Sequence, residues 1–506
     1  LSVIAFWVGL CAKHLQPTSY QKDEKKIHLR EATIRCDSLP MNEEFEKNHD
    51  EELVKRYEEM LSKGNTYFFD IEEFEDLIDY YCLQNKFKNA LDVIQYGYSL
   101  FRDNTTLMLR ESQLLAGLGH LTKALSILKT LEKLEGHNEE ALLTMASIYS
   151  QLHEHVKAIE LLRKALELGN TEFQAEIILE IALEYENLER FDKAIDVLRK
   201  AVEKYPTNET FLYEIAYCFD MAERTAECIE YYHQFLEKFP YSFPAWYNLG
   251  NALQKVEQFD EALEAYDFCI AIQDDFTPAY FNKAQTLFKM ERYQEAIHTF
   301  EETYTFEQPH AAVYCHIGEC FEKLNQLDKA LFYYRKSIQM DEHFADAYLG
   351  VGIILDMQDN IQEAIHYVEK AMSLDEESAD YPIFLVEMLK KQERWEDAEN
   401  IIQPLMAKHR DNEDVWMEYA DLHYLRDDVR SALAMTRQAN HAFPDSVELK
   451  FRLLAYLYIS GLTTEAEELL VRLVIEHPEG LEDFVEYFPE IREYPLFIEL
   501  TRNKLF

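Results

Sequence analysis

Phe243 to Phe276 reads FPAWYNLGNALQKVEQFDEALEAYDFCIAIQDDF. Its apolar residues fall into two helical runs. Trp246, Leu249, Gly250 and Leu253 sit at i, i+3, i+4 and i+7, which is one face of a helix. After a short polar interval Phe259, Ala262, Leu263 and Tyr266 repeat that spacing. Two amphipathic helices joined by a tight turn cannot bury both faces alone, so such a unit must stack on others like it.

The pattern returns twelve times between Ile71 and Gly480. When each unit is numbered from its first residue, slot 20 holds Ala90, Ala124, Ala158, Ala194, Ala262, Ala296, Ala330, Ala364, Ala398, Ala432 and Ala466, with Cys228 in the one remaining place. Successive spacings are 34 residues, except for 36 between Ala158 and Ala194. Slot 8 is small as well: Ala146, Ala182, Ala216, Gly250, Ala284, Gly318 and Gly352 follow one another from the third unit on. A residue without bulk lets the facing helix approach, where a leucine would overpack the contact. Tyr232, Tyr266, Phe300 and Tyr334 at slot 24 supply the complementary bulk. The period predicts an all-α solenoid whose units span 71–104, 105–138, 139–174, 175–208, 209–242, 243–276, 277–310, 311–344, 345–378, 379–412, 413–446 and 447–480.

Trp-x2-Leu-Gly at Trp246 to Gly250, then Ala262 and Tyr266 within a 34-residue period, resembles the tetratricopeptide repeat. The resemblance covers 71–480. It implies a right-handed superhelix closed by terminal capping helices, with partner proteins bound in a concave groove lined by the first helices. Departures are local. The proline of slot 32 survives only as Pro206, Pro240, Pro444 and Pro478. Pro382 falls in a first helical turn, where it is tolerated, but Pro404 lies inside a second helix and is expected to kink it and disturb the stack near 400–404.

Composition narrows the function classes. The net charge of −45, from 95 acidic against 50 basic side chains, argues against nucleic acid or an anionic membrane as partner. It suits either a solvated scaffold or attraction to a basic protein segment. The eight cysteines do not form a disulfide framework: Cys218 and Cys320 at slot 10, Cys228 at slot 20 and Cys269 at slot 27 occupy packing positions, as in a reducing cytoplasm.

The ends read differently from the array. Residues 1–40 lack methionine, carry six basic against four acidic residues, and give way at Met41 to the acidic MNEEFEKNHDEELVKRYEEML. Met41 is therefore expected to be the natural start, with 1–40 a non-native or disordered leader. The competing reading is an export signal in LSVIAFWVGLCA. Its apolar run is short and has no basic region before it, and Cys11 follows Leu10 where a lipobox wants a small residue. Residues 41–70 predict an acidic capping helix with Leu53, Tyr57, Met60 and Leu61 on its apolar face. Residues 481–506 predict a helical cap using Phe484, Tyr487, Phe488, Ile491, Leu496, Phe497 and Leu500.

Catalytic signatures do not appear. There is no phosphate-binding glycine loop, dinucleotide fingerprint, HExxH or nucleophile elbow. The densest ligand-like cluster is His310, Cys315, His316 and Cys320, yet Cys320 stands at a packing slot and no second ligand pair has zinc spacing. His153 and His155 fall on a turn. The reading is a non-enzyme without metal or cofactor.

The family resemblance implies that slots 2, 5, 6, 9, 12 and 13 face the groove. In the middle units these present Tyr213, Tyr217, Tyr247, Asn248, Asn251, Phe281, Asn282, Gln285 and Phe288. Aromatic rings give apolar contact area, and amides can pair with the backbone of an extended peptide. Acidic residues flank the patch: Glu176, Glu180, Glu214 and Asp220 before it, and Glu319, Glu322, Asp346, Asp356, Glu387 and Asp421 after it. Lys255, Lys289, Lys323 and Lys391 recur at slot 13. Two subfamily patterns match shallowly. A carboxylate clamp for chaperone tails is echoed at Asn251 and Asn282, but Tyr247, Ala312 and His316 stand where it needs basic side chains. The asparagine ladder of the nucleocytoplasmic glycosyltransferase's repeat domain is met only at Asn248 and Asn282. The sequence thus points to a cytoplasmic protein-interaction scaffold that takes a peptide or helical segment of a partner protein in its groove. The alternative is a regulatory or assembly subunit recognising a basic partner through its acidic outer face. Self-association is not readable.

Overall fold

The computed structural model describes residues 43–63, 67–136, 138–169 and 173–502; the expected leader and start at Met41 lie outside them. All regular structure among the described residues is helical. Unit 6 shows how the pattern folds. Its first helix, Phe243–Lys255, buries Leu249, Gly250 and Leu253, and its second, Phe259–Ile272, buries Ala262, Leu263 and Tyr266. Corresponding pairs run from Ile71–Leu83 with Phe87–Leu100 to Val447–Ile459 with Thr463–Glu476. Several starts are capped by polar side chains that accept from orphan amides. Asp70 forms a reciprocal capping box with Glu73, while Asn104, Asn138, Asn208, Asn412 and Ser446 cap singly.

Every turn between paired helices is made the same way, though the sequence marks only two of them with glycine. Slot 15 has positive φ throughout: Gly119 and Gly461, but also Asn85, His153, Glu189, Glu223, Glu257, Glu291, Asn325, Asp359, Glu393 and Asp427. In unit 5 the Glu223 amide donates to the Asp220 carbonyl at 3.0 Å and the Arg224 amide to the Phe219 carbonyl at 3.0 Å. Unit 6 repeats this with Glu257 to Gln254 and Gln258 to Leu253. These paired bonds satisfy the last carbonyls of the first helix and require a left-handed residue. Glutamate pays a steric cost there that glycine would not.

Small residues are placed where rings approach. A Cβ on Gly250 would stand 2.6 Å from Cε1 of Tyr266. Tyr334 is gripped from two sides: a Cβ on Gly318 of its own unit would lie 2.9 Å from the ring, and one on Gly350 of the next unit 2.5 Å from Cζ. The slot-20 alanines are buried, as is Cys228. Cys82, Cys218, Cys228, Cys269, Cys315 and Cys320 are all buried free thiols.

The chain divides into two compact bodies, Leu1–Asp274 and Asp275–Phe506. The register itself passes this point unbroken; in a stack whose units touch mainly their neighbours, a division can fall between units without any change of pattern. In the first body the helix Glu43–Lys63 buries Leu53, Val54, Tyr57 and Met60 against Phe69, Phe74, Leu77 and Tyr81. Leu61 does not belong to that face: it is 63% exposed, and Val54 takes its place beside Leu53, Tyr57 and Met60.

In the second body the segment after Glu476 forms helices Leu481–Tyr487 and Pro495–Arg502 around a short 3-10 stretch, Pro489–Glu493. Phe484, Phe488, Ile491 and Phe497 are buried against unit 12, with Leu496 and Leu500 alongside. Tyr487 is partly exposed, and its hydroxyl donates to Asp421 Oδ1 at 3.0 Å. Pro404 does not end its helix. Helix Trp395–Lys408 runs through it. Pro404 is exposed, so the carbonyl that loses its partner faces solvent rather than the core. Unit 7 departs from the pattern: its second helix, Tyr293–Glu302, ends early and tightens into a 3-10 turn, Thr303–Thr305.

Candidate functional site

First helices of neighbouring units touch one another directly. In the first body this holds for units 1 and 2, 2 and 3, and 5 and 6; in the second, for units 8 and 9 and for 10 and 11. No pair of neighbouring second helices packs to a comparable extent among the described residues. Helices that approach on one side and separate on the other form the short, inner wall of their body. The groove-facing slots of the sequence lie on these first helices.

In the first body Tyr213 and Tyr217 stand on helix Glu209–Met221, and Tyr247, Asn248 and Asn251 on Phe243–Lys255. Tyr213, Tyr217, Tyr247 and Asn251 are half-buried. The Tyr213 and Tyr247 rings meet edge to face at 6.4 Å, and Tyr247 contacts buried Tyr266 at 6.4 Å. Burial raises the Tyr213 hydroxyl pKa, and the neighbouring Glu209 carboxylate adds to the shift. Glu209 is itself raised by burial. Asn251 Oδ1 accepts from Tyr266 at 2.9 Å, which fixes its amide. Asn248 differs from the others. It is 5% exposed, and its Nδ2 donates to the Leu212 carbonyl at 3.2 Å, the same oxygen that accepts from Tyr232 at 2.5 Å. Its slot faces the neighbouring first helix closely enough that the amide serves packing between units 5 and 6.

In the second body Phe281, Asn282, Gln285 and Phe288 are half-buried on helix Thr277–Lys289. Phe281 packs against Phe300 at 5.5 Å and His316 at 5.3 Å, and Phe300 stacks on His316 at 5.7 Å. Gln285 Nε2 lies 3.5 Å from His316 Nε2, while His316 Nδ1 meets Glu319 at 2.8 Å. Phe288 meets Tyr293 edge to face at 5.3 Å. The ligand-like cluster is dispersed by this packing. His316 belongs to the aromatic group, Cys315 and Cys320 are buried, and burial pushes the Cys320 thiol up to about 12. Among the described residues no three His, Cys, Asp or Glu side chains are arranged to hold a metal ion.

Many of the flanking charges turn out to be internal partners. Lys255 pairs with Asp220 of the preceding unit, and Lys391 with Asp356 in the same relation. Arg110 lies 3.0 Å from Glu75 and 3.8 Å from Asp79. In the second body the part-buried pair Lys390–Glu418 joins units 10 and 11. Arg452 pairs with Asp421, which also accepts from Tyr456 at 2.5 Å. Asp346 accepts from Tyr381 at 2.7 Å and Glu322 from Tyr334 at 2.6 Å. The repeated slots held the signal for the lysine pairs: an acid at slot 12 followed by lysine at slot 13 of the next unit.

No described helix is long and apolar enough to cross a membrane. Comparison of the fold finds a crystal structure of MamA at 22% identity, covering 33% of this chain and 98% of that one with a TM-score of 0.30. It also finds the crystal structure of the APC/C hetero-tetramer Cut9-Hcn1, at 12% identity over 90% of this chain and 99% of that one with a TM-score of 0.40. No curated protein matches significantly. Family profiles described as tetratricopeptide repeat match residues 139–169, 175–218, 211–242, 243–276, 277–305, 311–344 and 357–422. Matches that follow one another along the helix pairs, with small residues and rings packed as the period requires, make the chain a member of the tetratricopeptide repeat family.

Proposed function

We propose that the chain is a non-catalytic scaffold that binds an extended or helical segment of another protein along its first-helix walls. Tyr213, Tyr217, Tyr247 and Asn251 offer the contact surface in the first body, with Asn248 holding their helices in place. Phe281, Asn282, Gln285 and Phe288 offer it in the second. The observation that carries this reading is the half-burial of aromatic side chains on the inner walls. Each ring is anchored by neighbours yet keeps apolar area open, the arrangement that gives contact energy at small entropic cost. Six buried free thiols support a reducing, cytoplasmic setting.

The test replaces Tyr217, Tyr247, Phe281 and Phe288 together with alanine. Circular dichroism is expected to retain the helical signal while capture of the partner falls. A folded variant that captures its partner unchanged removes the walls from consideration. Raising salt separates this reading from recognition through exposed outer carboxylates, which screen strongly while aromatic contacts do not.

A further inference from the structure

Slot 22 lies on the second helix and is exposed in all twelve units. In eleven of them it holds a polar residue or alanine, as at Glu264, His298 and His366. Unit 8 places Phe332 there, 59% exposed. The charge of the same helix is also reversed. Leu327–Met340 carries Lys329, Arg335 and Lys336 against a single acid, Asp328. Its neighbours in the second body do the opposite: Tyr293–Glu302 has three glutamates and no Lys or Arg, and Ile361–Leu374 has two glutamates to one lysine. Arg335 stands three residues after Phe332, is exposed, and pairs with no described residue. Lys336 is held by rings, its Nζ 4.3 Å from the Tyr314 centre and 5.9 Å from that of Phe332. Phe332 meets Tyr333 edge to face at 5.3 Å. Together with Asp328, Leu331 and Gln339, the side chains of Phe332, Arg335 and Lys336 border an open depression of about 330 Å³.

We propose that this face of unit 8 docks an acidic segment of a partner protein, with a Leu or Phe side chain of that segment against Phe332 and a carboxylate on Arg335. The surface lies on a second helix, apart from the first-helix walls, and stands whether or not those walls bind. A single exposed ring is ordinary on a protein surface. Here the ring shares one depression with an unpaired guanidinium, and aromatic and Arg side chains are the types that dominate interface energies. The guanidinium can take a carboxylate through two parallel hydrogen bonds. Lys336, already seated between two rings, adds positive charge without having to be ordered by the partner. Charge selects the occupant. A chain of net charge −45 repels an acidic segment on average, so such a segment is admitted only where the sign reverses locally. At the margin of the face, Glu301 of unit 7 accepts from the Tyr333 hydroxyl at 3.4 Å.

The probe is a fluorescein-labelled twelve-residue peptide of Glu and Asp with Leu or Phe at every fourth position, measured by anisotropy against the intact chain. The same peptide with Ser in place of its apolar residues serves as comparison. The first is expected to bind and the second to bind at least about tenfold more weakly. Phe332→Ser, a residue that unit 2 carries at this slot, should weaken binding by about tenfold, and Arg335→Gln by about fivefold. Both positions are exposed, so circular dichroism should be unchanged. The control is Phe268→Ser, which removes another exposed ring from a helix with four acids and no Lys or Arg. It should leave binding within about twofold, as should the fourfold alanine change in the first-helix walls. Equal weakening by Phe332→Ser and Phe268→Ser would show general adhesion to exposed rings and overturn the proposal. Loss of binding in the fourfold alanine variant would move the peptide to the walls, overturning this surface while upholding the scaffold reading. Displacement of the peptide by inorganic phosphate at matched ionic strength would reduce the face to a simple anion site and overturn it as well. An unaltered chain that does not bind the acidic apolar peptide overturns it too, and leaves the scaffold reading standing.

Discussion

Replacing Gly350 with alanine should destabilise units 8 and 9, although alanine is the better helix former. Gly350 lies inside helix Ala345–Met357, where exchanging glycine for alanine would by itself stabilise by about 0.5–1 kcal/mol. The added Cβ would however sit 2.5 Å from Cζ and 2.6 Å from Cδ1 of Tyr334. The ring must withdraw by about 1 Å to recover a normal carbon–carbon separation. It has nowhere to go. Tyr334 is 1% exposed, its other face is bounded by Gly318, and its hydroxyl is tied to Glu322 at 2.6 Å.

Overpacking of this kind costs about 1–3 kcal/mol, and the constraint on both faces places it at the upper end, so the net loss should be about 1–2 kcal/mol after the helical gain. Long repeat arrays do not unfold in one step, and a single melting point would blur the effect. Amide hydrogen exchange resolves it: protection across 311–357 should fall by about tenfold, while distant units stay unchanged. In a Tyr334→Leu background the same glycine change should become neutral or stabilising, because the colliding ring is gone. Gly350→Ala that leaves protection unchanged or raises it, in the chain with Tyr334 intact, would refute the two-sided grip.

Two further outcomes follow from the turns and from the buried charge. Glu223 holds a φ of 56°, so Glu223→Gly should stabilise unit 5 by about 0.5–1 kcal/mol and Glu223→Val should destabilise it, read by denaturant unfolding. Asp79 has its pKa raised to about 6 from 3.8, mainly by burial, so the folded chain holds a proton that the unfolded chain has already released. Its contribution is therefore fully present below about pH 4 and is lost as pH rises through about 6. Exchange protection in 71–117, corrected for intrinsic rates, should be greater at pH 5 than at pH 7. Asp79→Asn should flatten that difference, and a slope of opposite sign would remove Asp79 as its source.

The helix pairs and their family were legible because small residues recur at fixed slots, and burial of amphipathic faces is encoded directly in that spacing. The left-handed turns were less legible. Gly119 and Gly461 advertise them, and Asn85 and Asp359 are compatible, but glutamate at five of these positions carries no intrinsic preference for such a backbone. The turn is imposed by the two hydrogen bonds that close it, a tertiary demand stronger than a local preference.

Pro404 poses a related question: the helix runs through it, and the cost of a proline within a helix depends on whether the freed carbonyl reaches water, which only the fold decides. Among the wall residues the slots indicated which helix each occupies, but not how its polar atoms are used. Asn248 and Tyr247 are adjacent in sequence, yet one is buried in a bond to Leu212 and the other is only half-buried. Gly350 also occupies a slot read as groove-facing, but the structure uses it to house Tyr334.

The grip on Tyr334 has a practical consequence for cutting this chain. A fragment ending at 344 contains a complete sequence repeat but strips away Gly350 and the helix that covers the ring, leaving Tyr334 as an exposed, adhesive surface. Ending instead after Met357 retains that cover. The repeat as written and the smallest piece fit to stand alone are offset by one helix. The same rule holds after unit 12, where Leu481–Tyr487 lays Phe484 against Phe451.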